Sequence, residues 1–149
     1  MSHRFGSFQN NAHVLPVRVY FADTDAAGIV YHGRYIEFAE RGRSEFLSAL
    51  GYNVGDMKAK FGCVWVISDI QIKYLTPGYV DDVLEVVTEI GELKSATVTM
   101  AQVIQRVEGD RRTVLAQAQV RAAVLDLESG KPRRFDPAFK AAMAALQVS

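Results

Sequence analysis

The stretch GRYIEFAERGRSEFLSALG, residues 33–51, decides how the rest of the chain must fold. Ile36, Ala39, Arg43, Phe46, Leu47 and Leu50 recur at spacings of three and four, the period of an α-helix. Tyr35 and Phe38 widen the apolar side. The spacing therefore predicts a well-buried helix over about 33–50. Gly42 in its interior costs about 1 kcal/mol relative to alanine, and a close approach to a sheet would explain it. Gly51 stands where a C′ glycine ends a helix. Residues 53–61 have room for a short second helical turn.

Working outward, the period changes to that of strands. Residues 14–21 are β-branched and aromatic and read as a first strand, with Pro16 marking its start or an edge. Residues 63–75, 83–90, 97–107 and 113–127 read as four more. Thr76-Pro77-Gly78, Glu108-Gly109-Asp110 and Glu128-Ser129-Gly130-Lys131 carry turn chemistry between them. Asp136-Pro137 pairs an N-cap with a proline at N1 and opens a last helix to about Leu146. Strands joined by short connections pair antiparallel, since parallel pairs need long crossovers. An antiparallel sheet offers one face to the apolar helix, so the fold class is α+β, a sheet wrapped around one long helix.

The length of 149 residues fits one domain. Residues 1–13 are polar and are expected to form a flexible arm, with a single domain over 14–149. Seventeen basic residues balance seventeen acidic ones. A net charge of zero argues against a nucleic-acid binder and offers little repulsion between copies of the chain. No uncharged run approaches the ~20 residues of a membrane span. Residues 1–16 hold no apolar signal-peptide core, and Cys63 is the only cysteine. These features set the expectation of a cytoplasmic protein. Cys63, inside the strand-like CVWVI, reads as a buried thiol rather than a nucleophile.

Chemistry concentrates in RVYFADTDAAGIVYHG, residues 18–33, which leads from a strand through an acidic loop to the start of the helix. A helix N-terminus presents free N–H groups and positive partial charge, and so polarises a carbonyl oxygen placed against it. A carboxylate opposite can attack the carbonyl carbon or activate water. Loop and helix start together would supply both halves of an acyl-transfer site. The same residues also suit plainer roles: Asp and Thr as caps or Asx turns, Gly28 as a positive-φ turn residue, and His32 as a structural histidine. His3, His13 and His32 lack a ligand spacing, so no metal is expected.

The segment TDAAGIVYH, residues 24–32, preceded by Arg18-Val19, resembles the signature of the hotdog-fold thioesterases of the 4-hydroxybenzoyl-CoA thioesterase family. The Tyr31-His32 pair and the run Glu40-Arg41-Gly42-Arg43-Ser44-Glu45 are similar to its branch encoded beside the Tol–Pal envelope system. The likeness extends through Lys73-Tyr74-Leu75-Thr76-Pro77 and Gly130-Lys131-Pro132-Arg133-Arg134, about residues 14–140. It implies a hotdog fold and hydrolysis of acyl-CoA to a free acid and coenzyme A. It implies that Asp25 is the catalytic carboxylate, as nucleophile or general base. The backbone N–H near His32 would polarise the thioester carbonyl. Gly28, Val30, Tyr31 and Gly33 would surround the substrate, and Asp23 would be a loop residue. It further implies a substrate site across a dimer interface, with assembly to a homotetramer, and no resident cofactor.

Alternatives stand beside this reading. Glu37 or Glu40 on the helix would serve as the acid in another hotdog branch, although pairing with Arg41 or Arg43 suits them better. A hotdog hydratase needs a closer Asp-His pair with a proline between, which Asp25 and His32 do not provide. A scaffold that binds acyl carrier protein or lipid-pathway enzymes is the non-catalytic rival. Arg133 and Arg134 are candidates for the coenzyme A phosphates, with Lys73 and Arg121 behind them.

Overall fold

The expected helix is present as α1, His32–Ala49, and it lies against one face of an antiparallel sheet in a computed structural model that describes residues 5–148. The strands are β1 (Ser7–Gln9), β2 (Ala12–Arg18), β3 (Cys63–Tyr74), β4 (Val83–Leu93), β5 (Thr97–Glu108), β6 (Arg111–Asp126) and β7 (Pro132–Arg133). Two short helices complete the chain, α2 (Val54–Phe61) and α3 (Pro137–Ala144). Their order across the sheet is β1-β2-β4-β5-β6-β3, with β7 beside the end of β6. Among the described residues, no helix is long and apolar enough to cross a membrane.

Alternation in β4 and β5 puts Leu84, Val86, Thr88 and Ile90, and Val98, Met100, Gln102 and Ile104, in the interior. α1 buries two apolar clusters against them. Tyr35 and Phe38 pack with Leu84, Val86 and Ile104, and Phe46 and Leu47 pack with Ile90, Met100 and Phe139. Gly42 sits between the clusters, where an added Cβ would lie 2.6 Å from Val86 Cγ1 and 3.0 Å from Thr88 Oγ1. The close approach that the sequence anticipated therefore exists. It brings the buried Gln102 amide within reach of the helix backbone. Gln102 Nε2 donates to the Ala39 carbonyl (2.8 Å) and Thr88 Oγ1 (2.9 Å), and its oxygen accepts from Arg43 (3.0 Å). Every polar atom brought in there has a partner, which keeps its burial inexpensive.

The ends of the helices follow the expected chemistry. Past α1, Gly51 N–H donates to the Ser48 carbonyl and Tyr52 N–H to that of Leu47, with Gly51 at φ +91°. Asp136 caps α3 by accepting from the Phe139 N–H.

Three readings need correction. The arm expected over 1–13 is a β-hairpin through its described part: Ser7, Phe8 and Gln9 pair with Val14, His13 and Ala12, and residues 1–4 lie outside the described residues. Phe8 anchors it, edge-on to Phe46 with ring centres 5.3 Å apart, a long-range contact that the polar composition conceals. The first strand ends at Arg18 rather than residue 21, because the Asp23 carboxylate accepts from the Tyr20 N–H at 2.8 Å and bends 21–23 into a 3-10 turn. Finally, β7 adds a two-residue strand too short to leave a periodic signal. Pro16 lies beyond the residues paired with β1, so the outer edge of β2 is open there, as the proline suggests.

Candidate active site

The acidic loop closes on itself before it enters α1. Asp25 N–H donates to the Ile29 carbonyl (2.9 Å), and the Gly28 N–H returns to the Asp25 carbonyl (3.0 Å). Gly28 at φ +81° makes that turn available. Val30 N–H then donates to Gly78 and Tyr31 N–H to Asp23, so the far side of the loop is sewn to the rest of the domain. The Asp25 carboxylate accepts from Ala27 N–H through Oδ1 at 2.8 Å. Its other oxygen has no partner among the described residues.

α1 begins without a side-chain cap. The Tyr31 carbonyl takes the Arg34 N–H, while the His32 and Gly33 amides find no acceptor among the described residues. Two donors at the positive end of an 18-residue helix are thus left for a ligand. Asp25, Val30 and His32 line one cleft of about 310 Å³ together with Ile29, Tyr35, Tyr74, Leu75, Thr76 and Pro77. An acid, a pair of free amides and an apolar wall are the parts that an acyl-transfer site needs.

The other expected residues take supporting places. Tyr31 packs tilted against His32 with ring centres 4.3 Å apart and is half-exposed. Gly33 makes room for that ring, since a Cβ there would lie 2.9 Å from Tyr31 Cε2. Asp23 is a structural acid, holding Tyr20 N–H and facing Arg34 at 3.7 Å. Glu37 pairs with Arg34 on the exposed helix surface, which removes it from the cleft. The Arg43 guanidinium is held below its ordinary range by burial, with Glu40 opposing.

Sequence reasoning placed Tyr35 only on the apolar side of the helix and gave Tyr74 no role. Tyr35 accepts the Gly78 N–H (3.2 Å), and burial pushes its hydroxyl up. Tyr74 donates to the His32 carbonyl at 2.9 Å. The signal for Tyr74 was present, a tyrosine ending a strand just before Thr76-Pro77-Gly78, but only the tertiary fold brings it to the helix start.

Arg133 and Arg134 lie elsewhere. Arg133 bonds the Phe61 carbonyl and faces Asp126 at 3.5 Å, beside the first residues of β3. The cleft is at the last residue of β3. β3 is twelve residues long from one end to the other, roughly 35 Å at ~3.3 Å per residue.

Known proteins match this architecture. Residues 19–143 match a family model described as the thioesterase-like superfamily. The acyl-CoA thioesterase YbgC of Haemophilus influenzae is 37% identical over 138 residues, which are 93% of this chain and 98% of that protein. A probable thioesterase from Bartonella henselae is 39% identical with a TM-score of 0.77, covering 84% of this chain and 99% of that one. A 4-hydroxybenzoyl-CoA thioesterase variant superposes with a TM-score of 0.80 at 18% identity, covering 89% of this chain and 98% of that one, a likeness of fold. The sheet wrapped on α1 is therefore the hotdog fold, and the chain belongs to the thioesterase-like superfamily.

Proposed function

We propose that the chain hydrolyses acyl-CoA thioesters to a carboxylic acid and coenzyme A, with Asp25 as the reacting carboxylate. One observation carries this reading: an exposed carboxylate with an unengaged oxygen shares a cleft with the uncapped start of α1. The thioester carbonyl oxygen sits against the His32 and Gly33 amides, which stabilise the negative charge that develops on it. Asp25 then either attacks the carbonyl carbon, expelling the coenzyme A thiolate and leaving a mixed anhydride that water hydrolyses to the acid and the restored carboxylate, or takes a proton from the water that attacks the thioester and expels the thiolate. Label recovered in Asp25 after a single turnover in heavy-oxygen water would establish the nucleophilic route, with water opening the anhydride at the aspartyl carbonyl. The chemistry asks for no resident cofactor, and the proposed setting is cytoplasmic.

A single chain leaves Asp25 and His32 exposed, whereas charge stabilisation works best where water is excluded. A second copy is the natural cover. β3 is an edge strand with Ile67 and Tyr74 exposed, and unpaired edges recruit partners. Antiparallel pairing of two β3 strands would bring Arg133 and Arg134 of one copy toward the cleft of the other, where coenzyme A phosphates would meet them. A dimer, or a tetramer of two such dimers, is therefore part of the proposal.

The deciding experiment is free-thiol release from a panel of short, long and aromatic acyl-CoA substrates, by the parent chain and by Asp25→Asn. Activity on some member of the panel is expected, with a loss of about a hundredfold or more in Asp25→Asn. An inert parent would favour the scaffold reading, in which the cleft binds acyl carrier protein; a fully active Asp25→Asn would reject Asp25.

A further inference from the structure

We infer that Tyr74 is a positioning residue for thioester cleavage, fixing and polarising the peptide unit that joins His32 to Gly33 at the start of α1. The inference rests on the thioesterase reading and adds a residue to it. Tyr74 ends β3, and its hydroxyl donates to the His32 carbonyl at 2.9 Å across 42 residues of sequence. That carbonyl lies in the first turn of α1, where it also receives the N–H four residues on. The bond is thus not required to satisfy a stranded acceptor. What it does is tie the helix start to the sheet.

The start of α1 needs such a tie. It has no side-chain cap, and its second residue is Gly33, with the greatest backbone freedom of any residue type. The ring of Tyr74 also packs edge-on to Tyr35 (5.5 Å) and His32 (6.3 Å), so the hydroxyl is delivered from a fixed platform. The His32 carbonyl and the Gly33 N–H belong to the same peptide. A hydrogen bond accepted at its oxygen draws electron density from its nitrogen and strengthens the N–H as a donor. Tyr74 therefore both aims the amide and sharpens it, acting through the peptide rather than on the reacting atoms. Burial pushes the Tyr74 phenol up, with Tyr31 adding to it, so the hydroxyl remains a proton donor at neutral pH.

The test uses the full chain and the acyl-CoA that the parent cleaves best. Tyr74→Phe keeps the ring and removes the donor. It should lower kcat about five- to tenfold at a KM within twofold of the parent, with the melting temperature almost unchanged. The Gly33 amide proton should move upfield and exchange faster. An active parent with an unchanged kcat in Tyr74→Phe would overturn this inference alone; a parent that cleaves no thioester would overturn it together with the functional reading. A polyfluorinated tyrosine placed at position 74, whose phenol ionises near neutrality, supplies the second measurement. Its kcat should fall along a new alkaline limb near that phenol's pKa. A pH profile matching the parent's would mean that only ring packing matters, and would reject the clamp.

Discussion

The two ends of β3 are built in opposite ways. At the Tyr74 end, the acid loop runs directly into α1, and most of the cleft comes from 25–35 and 74–77. That end is open: Asp25 keeps a free oxygen and α1 keeps free amides. At the Cys63 end, pieces from the whole chain meet. Trp65 packs on Phe135 and Phe139, Tyr52 stacks on Phe139, and Arg133 bonds the Phe61 carbonyl. Nearby, Phe8 of the N-terminal hairpin packs on Phe46. That end is aromatic, and Tyr52, Phe61, Cys63, Arg133 and Phe139 line a second cleft there of about 260 Å³. The difference separates an end built from aromatic side chains of distant segments from one built of two local segments whose polar groups are left unengaged.

Replacing the acid should break the comparison most visibly. Asp25→Asn retains an oxygen that can accept from Ala27 N–H, and the side chain is exposed, so the melting temperature should hardly move. Thioesterase activity should still fall about a hundredfold or more. Parallel losses of activity and melting temperature would instead make Asp25 a structural turn residue. A next, smaller effect tests whether the aromatic end serves the acid-loop end of a second copy. Arg133→Glu with Arg134→Glu should raise KM for acyl-CoA about tenfold, while a thioester without the nucleotide is cleaved as before. Mixed dimers of that double variant with Asp25→Asn would contain one site with both Asp25 and the arginines. Parent-like KM should return in the mixture; its failure to return would mean that acid and arginines do not serve one substrate across two chains.

The same contrast explains what could be read from the sequence. α1, Gly42 and the four long strands were legible because each repeats a local period over ten residues or more. The acid loop was legible because its parts are contiguous, from Asp25 to Gly33. Tyr74 was quoted with its motif but given no role, since its partner lies 42 residues away. The N-terminal hairpin was read as a loose arm for the same reason. One phenylalanine among polar residues gives no periodicity, and its partner Phe46 is on α1. The hidden parts are those whose meaning depends on a distant segment.

His13 gives the smallest predicted effect and belongs to the aromatic region alone. It is 1% exposed, held by Phe8 and Phe46, with Nδ1 lacking a partner. Burial holds its pKa below the ordinary histidine value, with Glu45 on α1 opposing. The folded chain therefore keeps His13 neutral to a lower pH than the unfolded chain does. Its contribution is fully present above about pH 6.5 and is lost as pH falls from there through the folded value. The slope cannot exceed about 1.4 kcal/mol per pH unit, the limit for one proton. Denaturant unfolding at pH 7.5 and pH 5.5 should show the parent losing stability over this range, and His13→Gln losing less. The hairpin Ser7–Gln9 should open first, because Phe8 lies directly on the imidazole. Equal pH dependence in the two chains would place the titration elsewhere, and faster amide exchange in 25–33 before 7–14 would reverse the assignment of the aromatic region as the acid-sensitive one.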